Sequence, residues 1–330
     1  MRVVVVGATG NVGTAVLRAL ASERRVESIL GIARRLPDSR FPKTEWAAAD
    51  IASEDIGPHL ADADCVVHLA WQIQPSHDRR RTWLTNVEGS RRVFDATVHA
   101  RVPALVYASS VGAYSPGPKD RAVDESWPTG GIRTSFYSRD KSEVEGILDD
   151  VERSNSSLRV VRLRPSLIFQ RSMGTEVKRL FTGRWVPHRL VSRQTIPFVP
   201  DMPHLRFQVT HTDDVADAYR RAIVGDARGA FNVAAEPVRD PDRLADLLGA
   251  RAVRVPEQLA RSVVAATWRA RLQPTPEGWL DMGLRTPLMD TTRARTELGW
   301  HETTDAGTAL LELLAGFHEG AGLPTPPLAP

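Results

Sequence analysis

The 330-residue chain has one cysteine, Cys65, and only four lysines among its 43 basic residues. A single cysteine excludes a disulfide framework and a cysteine metal site, and the apolar run CVVHLA around it predicts a buried thiol. No apolar run approaches the roughly 20 residues that cross a bilayer. Met1 leads into a strand pattern without a cleavable leader, which favours the cytoplasm. A net charge of +3, with no basic helix carrying interleaved aromatics, argues against a nucleic-acid partner.

The chain does have a glycine-punctuated start, MRVVVVGATGNVG. Four consecutive valines predict a strand that is buried on both faces, as in a parallel sheet covered by helices. The apolar spacing becomes helical from Asn11, so the glycines occupy a strand-to-helix turn. Such a turn suits a pyrophosphate, although a tight turn without a ligand is the alternative. The predicted cofactor-binding residues of this turn are Gly7, Thr9, Gly10, Asn11, Val12 and Gly13.

Strand and helix patterns alternate along the chain, which predicts an α/β protein with a doubly wound parallel Rossmann sheet. Predicted strands cover residues 27–35, 44–49, 63–71, 103–110, 158–166 and 229–234. We predict a dinucleotide-binding domain over residues 1–166 and about 207–235. A smaller, mostly helical C-terminal substrate lobe covers 167–206 and 236–323, and a disordered tail covers 324–330.

The ends of two strands carry informative side chains. The end of the second strand faces the adenosine ribose in such a sheet, where an acid binds the 2′-hydroxyl and an arginine accommodates a 2′-phosphate. Ala33 occupies the position where the acid is expected, and Arg34 and Arg35 follow it. We therefore favour NADP over NAD as the cofactor; the alternative is that the two arginines are solvated and bind no cofactor. Trp71 and Gln72 follow the fourth strand, at the edge where ligands bind, and we assign them to the substrate.

Tyr137 and Lys141 are four residues apart at the start of a predicted helix and therefore share one face. An ammonium group near a phenol favours the phenolate and lowers its pKa from about 10, so Tyr137 can exchange a proton with a hydroxyl or carbonyl. Four tyrosines and four lysines in 330 residues give roughly 0.05 chance Tyr-x-x-x-Lys motifs, which makes coincidence a poor explanation.

The segments GATGNVG, SSVGAY and YSRDK together resemble the extended short-chain dehydrogenase/reductases of the NAD-dependent epimerase/dehydratase family. The resemblance implies hydride transfer in which Tyr137 is the acid/base, Lys141 its tuner and ribose anchor, and Ser110 the polariser of the substrate oxygen, with Ser109 as the fallback. It implies a structural role for Asn86. It also implies cofactor contacts, at the adenine, along the dinucleotide and at the nicotinamide carboxamide, by Asp50, Ile51, Leu69, Ala70, Pro165 and Ser166. We expect a homodimer and no metal.

The substrate side is less specific. Residues 167–206 carry seven cations against two acids, which favours an anionic small molecule such as a nucleotide diphosphate; a solvated basic loop is the alternative. Ser110-Val111-Gly112 replaces the Thr-Asp-Glu trio of sugar dehydratases, so dehydration is not expected. The segment RPSLIFQRSMG lacks the Asn that binds the diphosphate in many nucleotide-sugar enzymes of the family. Arg206 is offset by about one position from the arginine that sugar epimerases place before the segment corresponding to HTDD. The cations are Arg171, Lys178, Arg179, Arg184, Arg189, Arg193 and Arg206.

Three functions remain open at this point. The first is an oxidoreductase resembling the nucleotide-sugar epimerases, and the alternative is an NADP-dependent carbonyl reductase of a small ketone or aldehyde. The third is a dinucleotide-binding sensor without turnover, against which Ser110, Tyr137 and Lys141 argue.

Overall fold

The computed structural model describes residues 1–182 and 191–329. Its strands are β1 (Arg2–Val6), β2 (Ser28–Ala33), β3 (Thr44–Ala48), β4 (Cys65–His68), β5 (Ala104–Ala108), β6 (Ala122–Val123), β7 (Arg159–Pro165), β8 (Leu167–Phe169), β9 (Phe198–Asp201), β10 (Phe207–His211), β11 (Gly229–Val233), β12 (Ala235–Arg239), β13 (Arg251–Arg254) and β14 (Leu288–Met289). Arg184 and Arg189, two of the cations counted above, lie outside the described residues.

The α-helices are α1 (Asn11–Ala21), α2 (Arg79–Trp83), α3 (Gly89–His99), α4 (Phe136–Ser154), α5 (Gly174–Val177), α6 (Thr212–Val224), α7 (Pro241–Leu248), α8 (Glu257–Arg269), α9 (Gly278–Arg285), α10 (Thr292–Glu297) and α11 (Ala306–Glu319). Two π-helical turns continue α2 and α5, at Leu84–Glu88 and Lys178–Thr182. Short 3₁₀ turns lie at Gly57–Leu60, Val111–Ala113, Arg171–Met173 and Arg193–Thr195. None of the described helices combines the length and the apolarity needed to cross a membrane.

Seven parallel strands form the central sheet, in the order β11, β7, β5, β4, β1, β2, β3. The chain starts at β1 and moves out first in one direction and then in the other, so the strand order reverses beside β1. Ligands of open α/β sheets bind at such a reversal, outside the carboxyl ends of the strands. Three smaller sheets pair β12, β10 and β8, then β13 and β9, and finally β14 and β6.

The valines of β1 supply both layers of the core. Val3 and Val5 pack with residues of α1 and α6 on one face, whereas Val4 and Val6 pack with residues of α3 and α4 on the other. All four are at most 1% exposed. The uninterrupted apolar strand is therefore explained by helices on both sides, and the predicted doubly wound parallel fold is confirmed.

Cys65 lies in β4 and is fully buried, as predicted. Burial raises the pKa of its thiol to about 12, so the reactive thiolate form is suppressed at neutral pH. Because the thiolate is the nucleophile and the metal ligand, Cys65 is a packing residue.

The sequence predicts a helix over residues 241–248, and α7 occupies these residues because its end signals are local. The Asp240 carboxylate accepts a hydrogen bond from the Arg243 amide, Pro241 opens the helix, and Gly249 ends it with a φ of 67°. The sequence favours Asp213 or Asp214 as the cap of α6, and this prediction is wrong. His211 caps that helix by accepting from the Asp213 amide, while Asp214 accepts from the amides of Thr303 and Thr304.

The end of the chain differs from the disordered tail predicted for residues 324–330. The segment from Leu323 to Leu328 forms a hydrogen-bonded turn in which Thr325 and Leu328 are 1% and 0% exposed. Ser39 donates to the Pro324 carbonyl at 3.1 Å, and Thr175 donates to the Leu328 carbonyl at 3.3 Å. Partners that are distant in sequence therefore order a segment whose own composition favours disorder.

Candidate active site

A cleft of about 480 Å³ opens at the carboxyl edge of the central sheet. One wall comes from the glycine turn and from the ends of β2, β3 and β4, and the facing wall includes Glu176, Arg179, Pro326 and Pro327. Eleven of the predicted site residues line it: Gly7, Thr9, Gly10, Arg34, Arg35, Asp50, Ile51, Leu69, Ala70, Trp71 and Gln72.

The glycine turn leaves no room for side chains at two positions. Gly7 has a φ of +87°, and a Cβ there would lie 2.5 Å from the Ala70 amide nitrogen. A Cβ on Gly13 would lie 2.5 Å from the Gly7 carbonyl oxygen, so α1 packs directly on the turn. Helix α1 starts after Gly10 without a side-chain cap. Its first amides and its dipole fit the pyrophosphate of a dinucleotide.

Some predicted cofactor residues lie beside the cleft rather than along it. Within the described chain, the lining does not include Asn11, Val12, Gly13, Pro165 or Ser166. The Asn11 side chain accepts a hydrogen bond from Gln170, and the Ser166 hydroxyl pairs with that of Thr210 at 2.7 Å. These side chains support the turn and the end of β7.

The adenosine end of the cleft carries positive charge. Arg34 and Arg35 follow β2, are exposed, and form no ion pair with any residue in the described part of the chain. Asp50 lines the same region, and its carboxylate accepts from the Ala52 amide at 3.0 Å. The two arginines are therefore available to an anionic group, while the Asp50 carboxylate stabilises its own turn.

Ser110 and Tyr137 meet at this sheet edge, although they are 27 positions apart in the sequence. Ser110 follows β5 and its hydroxyl accepts from the Gly112 amide at 3.0 Å, which orients the side chain. Burial raises the pKa of Tyr137, and a hydrogen bond with Ser110 opposes that rise. Ser109 donates instead to Glu145. Of the two adjacent serines, Ser110 is the one beside the tyrosine.

Lys141 lies one helical turn after Tyr137 and is 3% exposed. Its ammonium group donates to the Ala108 carbonyl at 2.6 Å and lies 3.5 Å from the centre of the Trp71 ring. The Tyr137 ring centre is 5.9 Å from the same nitrogen. Burial lowers the pKa of Lys141 well below its ordinary range, although the nearby carboxylates of Glu145 and Asp140 oppose that shift.

A buried ionic cluster connects α4 to the central sheet. Glu145, one turn after Lys141, accepts from Arg164 at 2.8 and 3.1 Å and from Arg162 at 2.9 Å. Burial alone would raise the pKa of Glu145, but the hydrogen bond and charge of Arg164 and the charge of Arg162 outweigh it and bring the pKa to about 2. The cluster joins α4 to β7 and, through Ser109, to the end of β5.

Gln72 is held by Asn86, the residue for which the family resemblance implies a structural role. Its amide donates to the Asn86 side chain at 2.7 Å, and Asn86 donates back to the Gln72 carbonyl at 2.9 Å. The Gln72 side-chain oxygen accepts from Thr85. Asn86 therefore fixes the backbone that follows Trp71, in keeping with the predicted structural role.

Aromatic rings surround Tyr137, and sequence reasoning missed two of them. The Trp279 ring centre is 4.9 Å from that of Tyr137, and the Phe181 ring centre is 5.1 Å from that of Trp279. Trp71 meets Tyr137 at 5.7 Å. Trp279 belongs to α9, an eight-residue helix that the sequence analysis did not predict. The one available signal was a tryptophan directly after the helix-opening segment Pro276-Glu277-Gly278.

The cations of the 167–206 region that the structure describes do not converge on the cleft. Arg171 pairs with Glu319 at 2.6 Å, and Arg206 contacts the Lys119 carbonyl at 3.1 Å and the Asp240 carboxylate at 4.0 Å. Arg179 does line the cleft, where it donates to the Pro327 carbonyl. Among the described residues, Arg206 is therefore not brought to the site.

A glycine turn on the first strand of a doubly wound parallel sheet, with Ser, Tyr and Lys at the same sheet edge, is the arrangement of a dinucleotide-dependent oxidoreductase class. A sequence model described as the NAD dependent epimerase/dehydratase family matches residues 3–234. The chain belongs to this family of NAD-dependent enzymes, so the predicted family, that of the extended short-chain dehydrogenase/reductases, is confirmed.

Two curated relatives match part of the chain. Sterol-4-alpha-carboxylate 3-dehydrogenase, decarboxylating, of Saccharomyces cerevisiae is 30% identical over 134 residues, which cover 40% of this chain and 37% of that enzyme. L-arabinose 1-dehydrogenase (NAD(P)(+)) of Haloferax volcanii is 33% identical over 110 residues, or 33% of this chain and 41% of that enzyme. The matched segments thus span about two fifths of these relatives.

The fold also matches solved structures. UDP-glucuronic acid 4-epimerase from Bacillus cereus, in complex with UDP-glucuronic acid and NAD, superimposes with a TM-score of 0.70 over 97% of this chain and 99% of that one. Their sequences are 16% identical. This likeness establishes the shared fold over nearly the whole chain.

Proposed function

We propose that the chain is an NAD(P)-dependent dehydrogenase or reductase that interconverts a secondary alcohol and its carbonyl compound. The carrying observation is the contact of Ser110 with Tyr137 beside the glycine-lined cleft. The bound dinucleotide would supply or accept the hydride. The glycine turn would hold its pyrophosphate, because α1 begins there and its first amides have no side-chain cap.

Tyr137 would move the proton. In alcohol oxidation its phenolate oxygen takes the hydroxyl proton while the carbinol carbon loses hydride, and in reduction the phenol returns that proton to the carbonyl oxygen. The Ser110 hydroxyl would hold the same substrate oxygen. When the Lys141 side chain is protonated, its positive charge stabilises the Tyr137 phenolate through space and so lowers the free energy needed to form the phenolate in a buried site.

The placement of those cations that the structure describes favours this function over a nucleotide-sugar epimerase. Arg171 and Arg206 are engaged by Glu319 and Asp240, and Arg179 contacts the Pro327 carbonyl. A diphosphate substrate would need several free cations close to Tyr137. The epimerase function is supported by the shared fold, and it stays the second candidate.

NADP is the proposed cofactor because Arg34 and Arg35 are unpaired at the adenosine end of the cleft, where a 2′-phosphate lies in this fold. A small-molecule substrate, a homodimer and a cytoplasmic location stay predictions that accompany this assignment.

The test begins with purified protein whose bound dinucleotide is extracted and identified. A reductase exchanges its cofactor at each turnover, so we expect little retained dinucleotide and consumption of NADPH with a panel of ketones and aldehydes. Tightly retained NAD together with turnover of a UDP-sugar would support the epimerase instead. Tyr137→Phe should abolish turnover while the dissociation constant of the dinucleotide stays within about threefold, and residual activity in that variant would contradict the mechanism.

A further inference from the structure

We propose that the substrate is an apolar, ring-bearing secondary alcohol or ketone that packs against Trp71, Phe181 and Trp279. The proposal rests on the hydride-transfer function above and specifies the compound on which that function acts.

The first argument is the shape of the aromatic wall. Tyr137 lies between Trp71 and Trp279, whose planes are inclined to its own by 72° and 38°. Phe181 extends the wall by meeting Trp279 edge-on at 87°. Met282 adds a thioether, since its sulfur and the Tyr137 ring would both lie within 3.2 Å of a Cβ on Gly112. A ring placed here would touch aromatic faces and edges on more than one side.

The second argument is that the wall keeps apolar surface open. Trp71, Phe181 and Trp279 are all half-buried, so each residue keeps some surface in contact with solvent. Apolar surface beside a proton-transfer residue is where an apolar substrate gains binding free energy when it displaces water. A nucleotide sugar, which is mostly hydroxyl and phosphate groups, would leave that gain unused.

The experiment compares alcohols of rising apolar size under one assay. Oxidation of 2-propanol, cyclohexanol and 1-phenylethanol is followed by NADPH formation, with UDP-glucose as the polar competitor. We expect kcat/KM to rise along the series by roughly fourfold for each buried CH₂ equivalent.

Trp279→Ala provides the direct test. It should lower kcat/KM for 1-phenylethanol at least 10-fold more than it lowers the value for 2-propanol, while the dissociation constant of NADP changes less than about threefold. Trp127→Ala is the matched control, because Trp127 is also half-buried but packs on Tyr114, Ala234 and Met289. It should leave the preference for ring substrates unchanged.

Binding is measured independently of turnover by titrating acetophenone into the protein–NADP complex and following tryptophan fluorescence. Saturable binding that Trp279→Ala weakens at least 10-fold supports the proposal. Equal kcat/KM for 2-propanol and 1-phenylethanol, preference for UDP-glucose, or unchanged acetophenone binding in Trp279→Ala overturns the substrate class. In those cases turnover that still depends on Tyr137 leaves the proposed function intact. Turnover unaffected by Tyr137→Phe contradicts the proposed function itself.

Discussion

The ammonium group of Lys141 lies 3.5 Å from the centre of the Trp71 indole ring. This contact shields from water a charge that is already buried within α4. Trp71, which follows β4, therefore affects the pKa of Lys141 and, through Lys141, the pKa of Tyr137. Trp71 itself does not titrate in the accessible pH range.

Trp71→Ala should shift the pH dependence of alcohol oxidation toward lower pH. Burial lowers the pKa of Lys141, so admitting water should raise that pKa and keep the ammonium charged over a wider range. A charged neighbour favours the Tyr137 phenolate, and the acid limb of kcat/KM should move down by about half a pH unit or more. Profiles are recorded from pH 5 to 10, with Trp127→Ala as the control. An unchanged acid limb would mean that the indole does not control Lys141.

Gly13→Ala should weaken dinucleotide binding at least 10-fold and lower the melting temperature. The added Cβ would lie 2.5 Å from the Gly7 carbonyl oxygen, so α1 and the turn must separate. Gly146→Ala is the matched control, because a Cβ there meets nothing within 4 Å on α4. That change should leave binding unaltered and stabilise the protein by up to about 1 kcal/mol. Calorimetric titration and thermal unfolding measure both effects, and equal affinities for the two variants would contradict the packing argument.

Dinucleotide affinity should fall as the pH rises through 7, because Glu176 lines the cleft. Burial raises the pKa of Glu176 to about 7, although the charge of Arg179 opposes the rise. The carboxyl group is neutral below that pH and negative above it, where it repels the phosphates of the ligand. The dissociation constant of NAD is measured at pH 6 and pH 8, and we expect an increase of several-fold. Glu176→Gln should remove this dependence, and a variant with the same slope as the wild type would exclude Glu176 as its source.

Glu145→Gln should destabilise the fold by about 3–5 kcal/mol at pH 7, since it leaves Arg162 and Arg164 unpaired in a buried site. The pKa of Glu145 is lowered from 4.5 to about 2, so its contribution is present above pH 4.5 and is lost as the pH falls through 2. A shift of this size corresponds to about 3 kcal/mol.

Urea unfolding from pH 7 down to pH 2 measures that contribution. The difference in unfolding free energy between wild type and Glu145→Gln should narrow on acidification. The control Asp150→Asn breaks an exposed pair with Arg153 and should cost about 1 kcal/mol or less. A difference in unfolding free energy that stays constant down to pH 2 would show that Glu145 is not the titrating group.

Arg34 and Arg35 are expected to select NADP. Replacing both by alanine should raise KM for NADP at least 10-fold, because a 2′-phosphate loses two cations, while KM for NAD stays within about threefold. The control is Arg153→Ala, whose guanidinium is exposed on α4. Equal losses for the two cofactors would assign the arginines to the shared part of the dinucleotide.

Local signals explain which parts of the fold the sequence predicts well. Strand β1 and helix α1 follow from an apolar run and a change of period, and α7 follows from Asp240, Pro241 and Gly249, all within one segment. The sequence predicts Asp213 or Asp214 as the cap of α6, whereas His211 caps it, because all three side chains can cap a helix. Only the contact of Asp214 with Thr303, which comes from the far end of the chain, removes that ambiguity.

The candidate site likewise has parts that the sequence predicts and parts that it does not. The glycine turn and the Tyr137 and Lys141 pair are encoded in short spacings, so they can be found without a structure. Trp279 reaches Tyr137 only because α9 packs on α4, where a Cβ on Gly278 would lie 2.4 Å from the Thr134 carbonyl oxygen. The tail is ordered by Ser39 and Thr175. Contacts of this kind depend on the completed fold and leave no periodic signal.

The buried thiol of Cys65 makes the protein suited to single-site labelling. Cys65 is the only cysteine in the chain and is 0% exposed. A cysteine introduced at an exposed position would therefore be the only thiol open to a maleimide dye, with no background substitution required. A dye at Arg269, which is exposed at the end of α8, would then report on that segment of the chain alone.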